Sequence, residues 1–81
     1  MKELIILAKA AKQLANLPLR DRDILISKLK RYAAGQKEGL DVQKLQGREG
    51  FRLRHGIWRA IFNEDFEIVS VIKVGHRRDI Y

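Results

Sequence analysis

Residues 51–62, which read FRLRHGIWRAIF, determine how this chain folds. Residues 51–54 alternate apolar and basic side chains, which is the period of a strand buried on one face. His55 and Gly56 then predict a tight turn, because glycine readily adopts the positive φ that such a hairpin needs. Residues 57–62 are rich in β-branched and aromatic side chains and predict the second strand. The whole segment is therefore expected to form an antiparallel β-hairpin.

This hairpin is expected to carry a cluster of arginines on one face. If the turn is a two-residue loop, Arg52 lies opposite Arg59. Arg54 then lies opposite Ile57 and points to the same face as the other two arginines. A single arginine at such a position is often only a solvent-exposed residue of the outer face. Three together favour an anion-binding surface with RNA as its ligand. The opposite face is expected to enter the core and carries Phe51, Leu53, Trp58, Ala60 and Phe62.

The chain after the hairpin supplies a third strand and a polar ending. Residues 68–74 are apolar at nearly every position, which predicts a central strand covered on both faces. Gly75 then releases the chain at one end of the sheet, from which Arg77 and Arg78 can reach the arginine surface. The Tyr81 ring can stack on a base or fill the end of the core.

The first half of the chain predicts a helical hairpin. Residues 4–7 are a short apolar run suited to a strand or to the start of a helix. Residues 8–17 carry apolar side chains at helical spacing until Pro18, which cannot continue a helix. Residues 20–34 repeat that spacing until Gly35, which is well placed to end the second helix.

The predicted architecture is α+β. Residues 36–47 are polar, include two glycines, and are interpreted as a connecting loop between the helices and the strands. The N-terminal strand and the two-helix hairpin are expected to pack on one face of a small antiparallel sheet. The other face of that sheet would remain free for a ligand.

Composition limits the possible classes of function. The chain has 81 residues, so one domain over residues 1–81 is expected. Its net charge of +7 favours phosphate polymers or acidic proteins as partners. The absence of cysteine excludes disulfides and thiolate metal sites. The apolar start is too short to span a bilayer and lacks the features of a signal peptide, so a cytoplasmic location is expected.

The second half of the chain resembles the RelE/ParE superfamily of toxins. The superfamily pattern is Lys-Leu-x-Gly, then a strand of alternating aromatic, basic, Leu and basic residues, then Gly-x-aromatic-Arg, and finally Gly-His-Arg before Asp-x-Tyr. This chain carries those elements in order at residues 44–47, 51–54, 56–59 and 75–81. The Leu-Pro break between the helices also suits the family, so the resemblance covers essentially the whole chain.

The resemblance implies a RelE-like member, the toxin of a type II toxin–antitoxin pair. Such toxins enter the ribosomal A site and cleave mRNA there, by attack of a 2′-hydroxyl on the adjacent phosphodiester, so that no metal or cofactor is needed. The implied partners are the ribosome, mRNA and an acidic, partly disordered antitoxin that folds on binding. Operator DNA would be reached only through that antitoxin, and no membrane is involved.

Position by position, the resemblance also assigns roles to residues. Three arginines would hold the scissile phosphate and stabilise the charge on its oxygens, and a tyrosine would stack on a base and align the 2′-hydroxyl. These catalytic residues are Arg52, Arg59, Arg77 and Tyr81. Binding of RNA is expected from Arg54, Arg78, Lys44 and Arg48.

One departure from the family concerns the general base. RelE-like sites often carry lysine where this chain has Arg52 and Arg54, and arginine stays protonated in proteins. The base would then be Tyr81, His76 or His55, although a histidine in either position is also a common surface residue. Two alternatives share the fold, namely a ParE-like gyrase poison that cleaves no RNA and a degenerate toxin that only binds its antitoxin. The arginine set and the Tyr81 ending favour the ribonuclease.

Overall fold

The computed structural model describes residues 1–80 of the chain. Two short helices follow the first strand, and four further strands complete the molecule. In chain order the elements are β1 (Glu3–Ile6), α1 (Ala8–Ala15), α2 (Leu19–Ala33), β2 (Asp41–Lys44), β3 (Phe51–His55), β4 (Trp58–Glu64) and β5 (Ile68–His76). Within residues 1–80 no helix is long and apolar enough to cross a bilayer.

All five strands join one mixed sheet in the order β1-β5-β4-β3-β2. The β2/β3, β3/β4 and β4/β5 pairs are antiparallel, whereas β1 runs parallel to β5, with Glu3 beside Ile68. The predicted α+β class is confirmed. Two details of the prediction are wrong, because β1 joins the sheet and does not pack on its face with the helices, and its parallel pairing makes the sheet mixed where an antiparallel one was expected. Parallel neighbours need a long crossover between them, and here the two helices and three strands between β1 and β5 supply it.

Both helices pack on one face of the sheet. Helix α1 ends before Pro18, and α2 ends before Gly35, whose φ is 87°. These bounds lie within two residues of the predicted ones. The core between the helices and the sheet contains Ala10, Leu14, Leu17, Leu25, Leu29, Tyr32, Ala33, Leu53, Ala60, Phe62, Val69, Val71 and Val74, with Phe51 and Trp58 packed partly buried against it.

The β3–β4 hairpin turns one residue later than predicted. Arg54 pairs with Arg59, and the loop is Gly56-Ile57, so the predicted pairing of Arg52 with Arg59 is wrong. A two-residue hairpin loop needs a positive φ at its first central residue, and Gly56 supplies it with a φ of 58°. Since the register moves by two residues, each side chain keeps its predicted face and only its partner changes.

Residues 36–47 are not only a loop, because Asp41–Lys44 form β2 at the edge of the sheet. An edge strand with one solvated side needs few apolar side chains, and in β2 only Val42 packs against the core. The polar composition that suggested a loop therefore also fits this strand.

Strand β5 contains a β-bulge that decides which of its side chains reach each face. Ile61 pairs with Lys73, but the next residue, Phe62, pairs with Val71, so Ile72 is the extra residue. Val71 and Val74 both enter the core, which a regular strand with a two-residue period would not permit. The bulge thereby turns Lys73 to the face away from the helices.

Candidate nucleic-acid interface

The outer face, meaning the sheet face away from the helices, carries a row of cationic side chains. Arg54 on β3 pairs with Arg59 on β4, and Arg59 pairs in turn with Gly75 on β5. Directly paired residues point to the same face, at Cα separations of about 4.5–5.5 Å. Arg54 is exposed and Arg59 is half-buried. We call Arg54 and Arg59 the arginine row.

A second row lies next to the arginine row, further from the β3–β4 turn. It consists of Gln43, Arg52, Ile61 and Lys73, one residue from each of four adjacent strands. The Arg52 side chain is only 12% exposed, compared with 49% for Arg54. Of the two arginines on β3, Arg54 is therefore the more accessible to a ligand on the outer face.

Asp41 joins the two arginines of β3. Its Oδ1 lies 3.3 Å from Arg52 Nη1, and its Oδ2 lies 2.9 Å from Arg54 Nε. One carboxylate thus contacts both guanidinium groups and partly neutralises them. It also restricts their orientation, so a phosphate group would meet side chains already held in place.

The middle of the outer face is covered, contrary to the expectation that this face is free. Leu45, Ile61 and Ile80 form a small buried apolar cluster there, and Ile80 is 1% exposed. A Cβ placed on Gly75 would lie 3.4 Å from Ile80 Cδ1, an ordinary van der Waals separation, so Ile80 packs directly on β5. The arginine row therefore borders an apolar surface.

The segment that follows β5 returns to the β3–β4 turn. The Arg77 amide donates a hydrogen bond of 2.7 Å to the Ile57 carbonyl oxygen, and the Arg78 amide donates one of 3.1 Å to His76 Nδ1. Arg77 and Arg78 are exposed. The structure thus brings Arg77 to the end of the sheet that carries the arginine row. Tyr81 lies outside the described residues.

Both histidines lie on the helix side of the sheet, away from the arginine row. His55 Nε2 lies 3.1 Å from Asp21 Oδ1, and His55 Nδ1 lies 3.4 Å from Lys28 Nζ, so this ring bridges β3 and α2. His76 is opposite Trp58, with the two rings edge to face and their centroids 5.9 Å apart. The fold therefore does not bring either ring to the arginine row, although His76 contacts the backbone of Arg78.

Lys44 and Arg48 lie beside Arg52 at the β2 edge of the sheet. They line a cleft of about 330 Å³ together with Gln43, Leu45, Gln46 and Arg52. The three cations come from β2, from the loop after it and from β3, and the cleft adjoins the second row of the outer face. Three residues predicted to contact RNA are thus brought together.

A hydrogen-bonded network on the helix side joins α2, β4 and the residue before β1. Glu64 accepts hydrogen bonds of 2.8 Å from Lys2 Nζ and 2.6 Å from the Tyr32 hydroxyl. Burial would raise the pKa of Glu64, but these hydrogen bonds and the charges of Lys2 and Lys37 outweigh it and hold that pKa below its ordinary value. Burial and the contact with Glu64 raise the pKa of Tyr32. The network is structural, since it faces away from the arginines.

Sequence reasoning missed two residues of the outer face, Lys73 and Asp41. Lys73 lies within an apolar run, and only the bulge turns it outward. A signal was nevertheless present, because Ser70 and Lys73, the two polar residues of this run, are three residues apart and can share the solvent face only across a bulge. Asp41 lies in the segment interpreted as a loop, and recognising β2 would have placed it opposite Arg54.

Solved structures with a similar fold were found. The toxin–antitoxin complex RelB–RelE from Methanococcus jannaschii contains a chain with a TM-score of 0.79 and 18% identity, and the match covers 91% of each chain. The RelE–RelB complex from Pyrococcus horikoshii OT3 matches with a TM-score of 0.74 and 22% identity, over 96% of this chain and 97% of the other. This chain has the RelE toxin fold.

The free form of an E. coli RelE double mutant has the same RelE fold and is 25% identical to this chain. The match has a TM-score of 0.71 and covers 93% of this chain and 82% of that one. No family model matches the sequence, and neither does any curated protein. The resemblance to RelE-like toxins inferred from the sequence is confirmed by these structural matches.

Proposed function

We propose that residues 1–81 form one RelE-like toxin domain, the toxin of a type II toxin–antitoxin pair, which cleaves mRNA on the ribosome. The observation that carries the proposal is the arginine row, in which two guanidinium groups from adjacent strands point to one face of a RelE fold. Facing like charges destabilise a bare sheet, and a bound phosphodiester removes that cost. A ribosome-directed toxin acts in the cytoplasm.

The proposed reaction is a transesterification within the RNA. The 2′-hydroxyl gives its proton to a general base as its oxygen attacks the neighbouring phosphorus. The bond from phosphorus to the 5′-oxygen breaks, and that oxygen takes a proton from water, so the products are a 2′,3′-cyclic phosphate and a 5′-hydroxyl end. Negative charge builds on the non-bridging oxygens, and Arg54, Arg59 and Arg77 would stabilise it by hydrogen bonding. Arg52, which is paired with Asp41 at 3.3 Å, would contact the adjoining nucleotide of the RNA. No step of this reaction requires a cofactor.

The general base is best sought outside the histidines. His55 and His76 lie on the helix side, and arginines do not give up a proton under these conditions. Tyr81 is the remaining group of the three considered, and we propose it both as base and as the residue that stacks on a nucleobase. Positioning and charge stabilisation would supply most of the rate.

The proposed partner is an acidic antitoxin. The M. jannaschii and P. horikoshii relatives were solved as RelB–RelE complexes, and the net charge of +7 gives this chain a field that attracts an acidic segment. Such a segment that covers the arginine row would block RNA at the same time. Toxin that bound ribosomes equally well with its antitoxin present would contradict this arrangement.

Growth arrest and transcript mapping test the proposal. The chain would be induced in a bacterial host, and primer extension on abundant transcripts would compare wild type with Arg59→Ala, Arg77→Ala and Tyr81→Ala. Loss of one transition-state hydrogen-bond donor costs about 100- to 1000-fold in rate, so each variant should abolish both the arrest and the in-frame cuts. Arg20→Ala, an exposed arginine on α2, is the matched control and should cut like wild type.

Two results would overturn the nuclease. Arrest with gyrase–DNA breaks and without RNA cuts would indicate a gyrase poison of the same fold. No arrest by wild type, with binding of the antitoxin preserved, would indicate a degenerate toxin. Circular dichroism of each purified variant would separate loss of the site from loss of the fold.

A further inference from the structure

Two clefts share Lys44 at the β2 corner of the sheet, and their charges differ. One, of about 430 Å³, includes the carboxylates of Glu49, Glu64 and Asp65 in its lining. The other is the cleft of about 330 Å³ lined by Gln43, Lys44, Leu45, Gln46, Arg48 and Arg52, which has no carboxylate in its lining. An anion is therefore attracted to the second cleft and repelled by the first.

The lining of the second cleft matches the parts of a nucleotide. Arg48 and Arg52 can hold a phosphate, which arginine does with two parallel hydrogen bonds, and Lys44 at the rim adds positive charge. The amide groups of Gln43 and Gln46 each offer both a donor and an acceptor, which is what reading the edge of an exposed base requires. Leu45 adds an apolar wall against which a base can lie. A volume at the low end of the range of about 300–1000 Å³ typical for small ligands suits a single nucleotide unit.

We infer that this cleft is a nucleotide subsite that reads the identity of one base of the RNA. Its position relative to the cleaved bond rests on the proposed nuclease function. Arg52 belongs both to the cleft and to the second row, and it lies two residues, or about 7 Å along β3, from Arg54. The subsite therefore holds a nucleotide next to the phosphodiester on the arginine row. Gln43 and Gln46 are its specificity-determining residues.

Titration of the full-length, ¹⁵N-labelled chain tests the subsite without requiring cleavage. The probes are the four 5′-nucleoside monophosphates, with inorganic phosphate as the comparison. We expect the largest amide shifts at Gln43, Gln46 and Arg48, and a preference of about fivefold or more for one base, as one good bidentate base contact provides. Inorganic phosphate should bind without moving the two glutamine side-chain amides.

A double variant separates base reading from anion binding. Gln43→Ala with Gln46→Ala should reduce the preference among the four nucleotides to less than about twofold and leave phosphate binding unchanged. Gln36→Ala, an exposed glutamine outside the cleft, is the control and should behave like wild type. Equal binding of all four nucleotides and inorganic phosphate by wild type, shifts confined to the acid-lined cleft, or no shifts at millimolar nucleotide would each overturn the inference.

The outcome is independent of the nuclease test. If the chain made no RNA cuts but selected among nucleotides through the two glutamines, the subsite would be supported and the nuclease function would be refuted. Cuts whose sequence preference is identical in wild type and in the double variant would keep the nuclease and refute the subsite.

Discussion

Asp41 Oδ2 lies 2.9 Å from Arg54 Nε across the β2–β3 pair. The more exposed arginine of β3 is therefore already paired with a carboxylate of the same chain. The same carboxylate contacts Arg52 at 3.3 Å. A phosphate that binds Arg54 must compete with this internal anion, which limits loose binding of any polyanion. Substrate that also engages Arg59 and Arg77 can win that competition, whereas a single stray phosphate is at a disadvantage.

Removal of this carboxylate should tighten binding of RNA. Asp41→Asn is expected to increase affinity for a short single-stranded RNA by up to about fivefold, because partly exposed ion pairs contribute about 0.2–1 kcal/mol. Asp23→Asn makes the same charge change on the exposed side of α2 and serves as the control. Fluorescence anisotropy at constant salt would measure both, and equal gains would mean that net charge alone is responsible.

Lys73 should contribute one phosphate contact, since the β5 bulge turns it to the outer face. Lys73→Ala is expected to make the salt dependence of RNA binding shallower by about one unit of slope, without a change in stability. Lys30→Ala, on the exposed side of α2, should leave the slope unchanged. If the two variants had the same slope, Lys73 would not contact the RNA.

Ile80 should stabilise the fold although it lies on the outer face. Ile80→Ala is expected to lower the free energy of unfolding by about 2–4 kcal/mol, because the side chain is 1% exposed against Gly75 and Ile61. Ile57→Ala removes an isoleucine that is 43% exposed and should cost less than half as much. Urea denaturation followed by circular dichroism would show the difference, and equal losses would contradict the packing of Ile80.

Glu64 should make the fold sensitive to acid. A carboxyl whose pKa is lower in the folded state stabilises the fold above its unfolded pKa, of about 4.3, and this contribution is lost as the pH falls through the folded value. Glu64→Gln should lower stability at neutral pH by about 1–3 kcal/mol and flatten the acid limb of the stability curve. Glu67→Gln, at an exposed position, should retain that limb. If Glu64→Gln lost stability at acidic pH as steeply as wild type does, groups other than Glu64 would be responsible for the acid sensitivity.

The sequence predicts the helices and β3 from their periodicity, β4 from its β-branched and aromatic side chains, and β5 from its nearly continuous apolar run. The faces of the β3–β4 hairpin follow from the alternation in β3. The sequence predicts register less well, since a two-residue shift leaves every side chain on the same face. Placing Gly56 first in the loop would have given the observed pairing. This choice alone decides whether Arg52 or Arg54 stands beside Arg59.

The remaining differences concern short or irregular features. Strand β2 has four residues, three of them polar, and without an apolar period it is identified only by its pairing with β3. Whether the side chain of Ile80 covers a sheet face is likewise a tertiary property, since it depends on packing against Leu45 and Ile61. Lys44, Arg48 and Arg52 share a cleft because the antiparallel pairing of β2 with β3 brings Lys44 and Arg52 close together, and the loop that connects the two strands carries Arg48.

Strand β5 lies between β1 and β4, yet it is synthesised after both of them. During translation the growing chain therefore holds a hairpin and two helices with no central strand to join them, and β1 has no neighbour to pair with. The bulge that turns Lys73 outward also belongs to β5, and so does Gly75, on which Ile80 packs. A nascent chain cut short before residue 68 would still carry Arg54 and Arg59, but it would lack the strand with which both β1 and β4 pair, so it could not complete the sheet that presents these arginines.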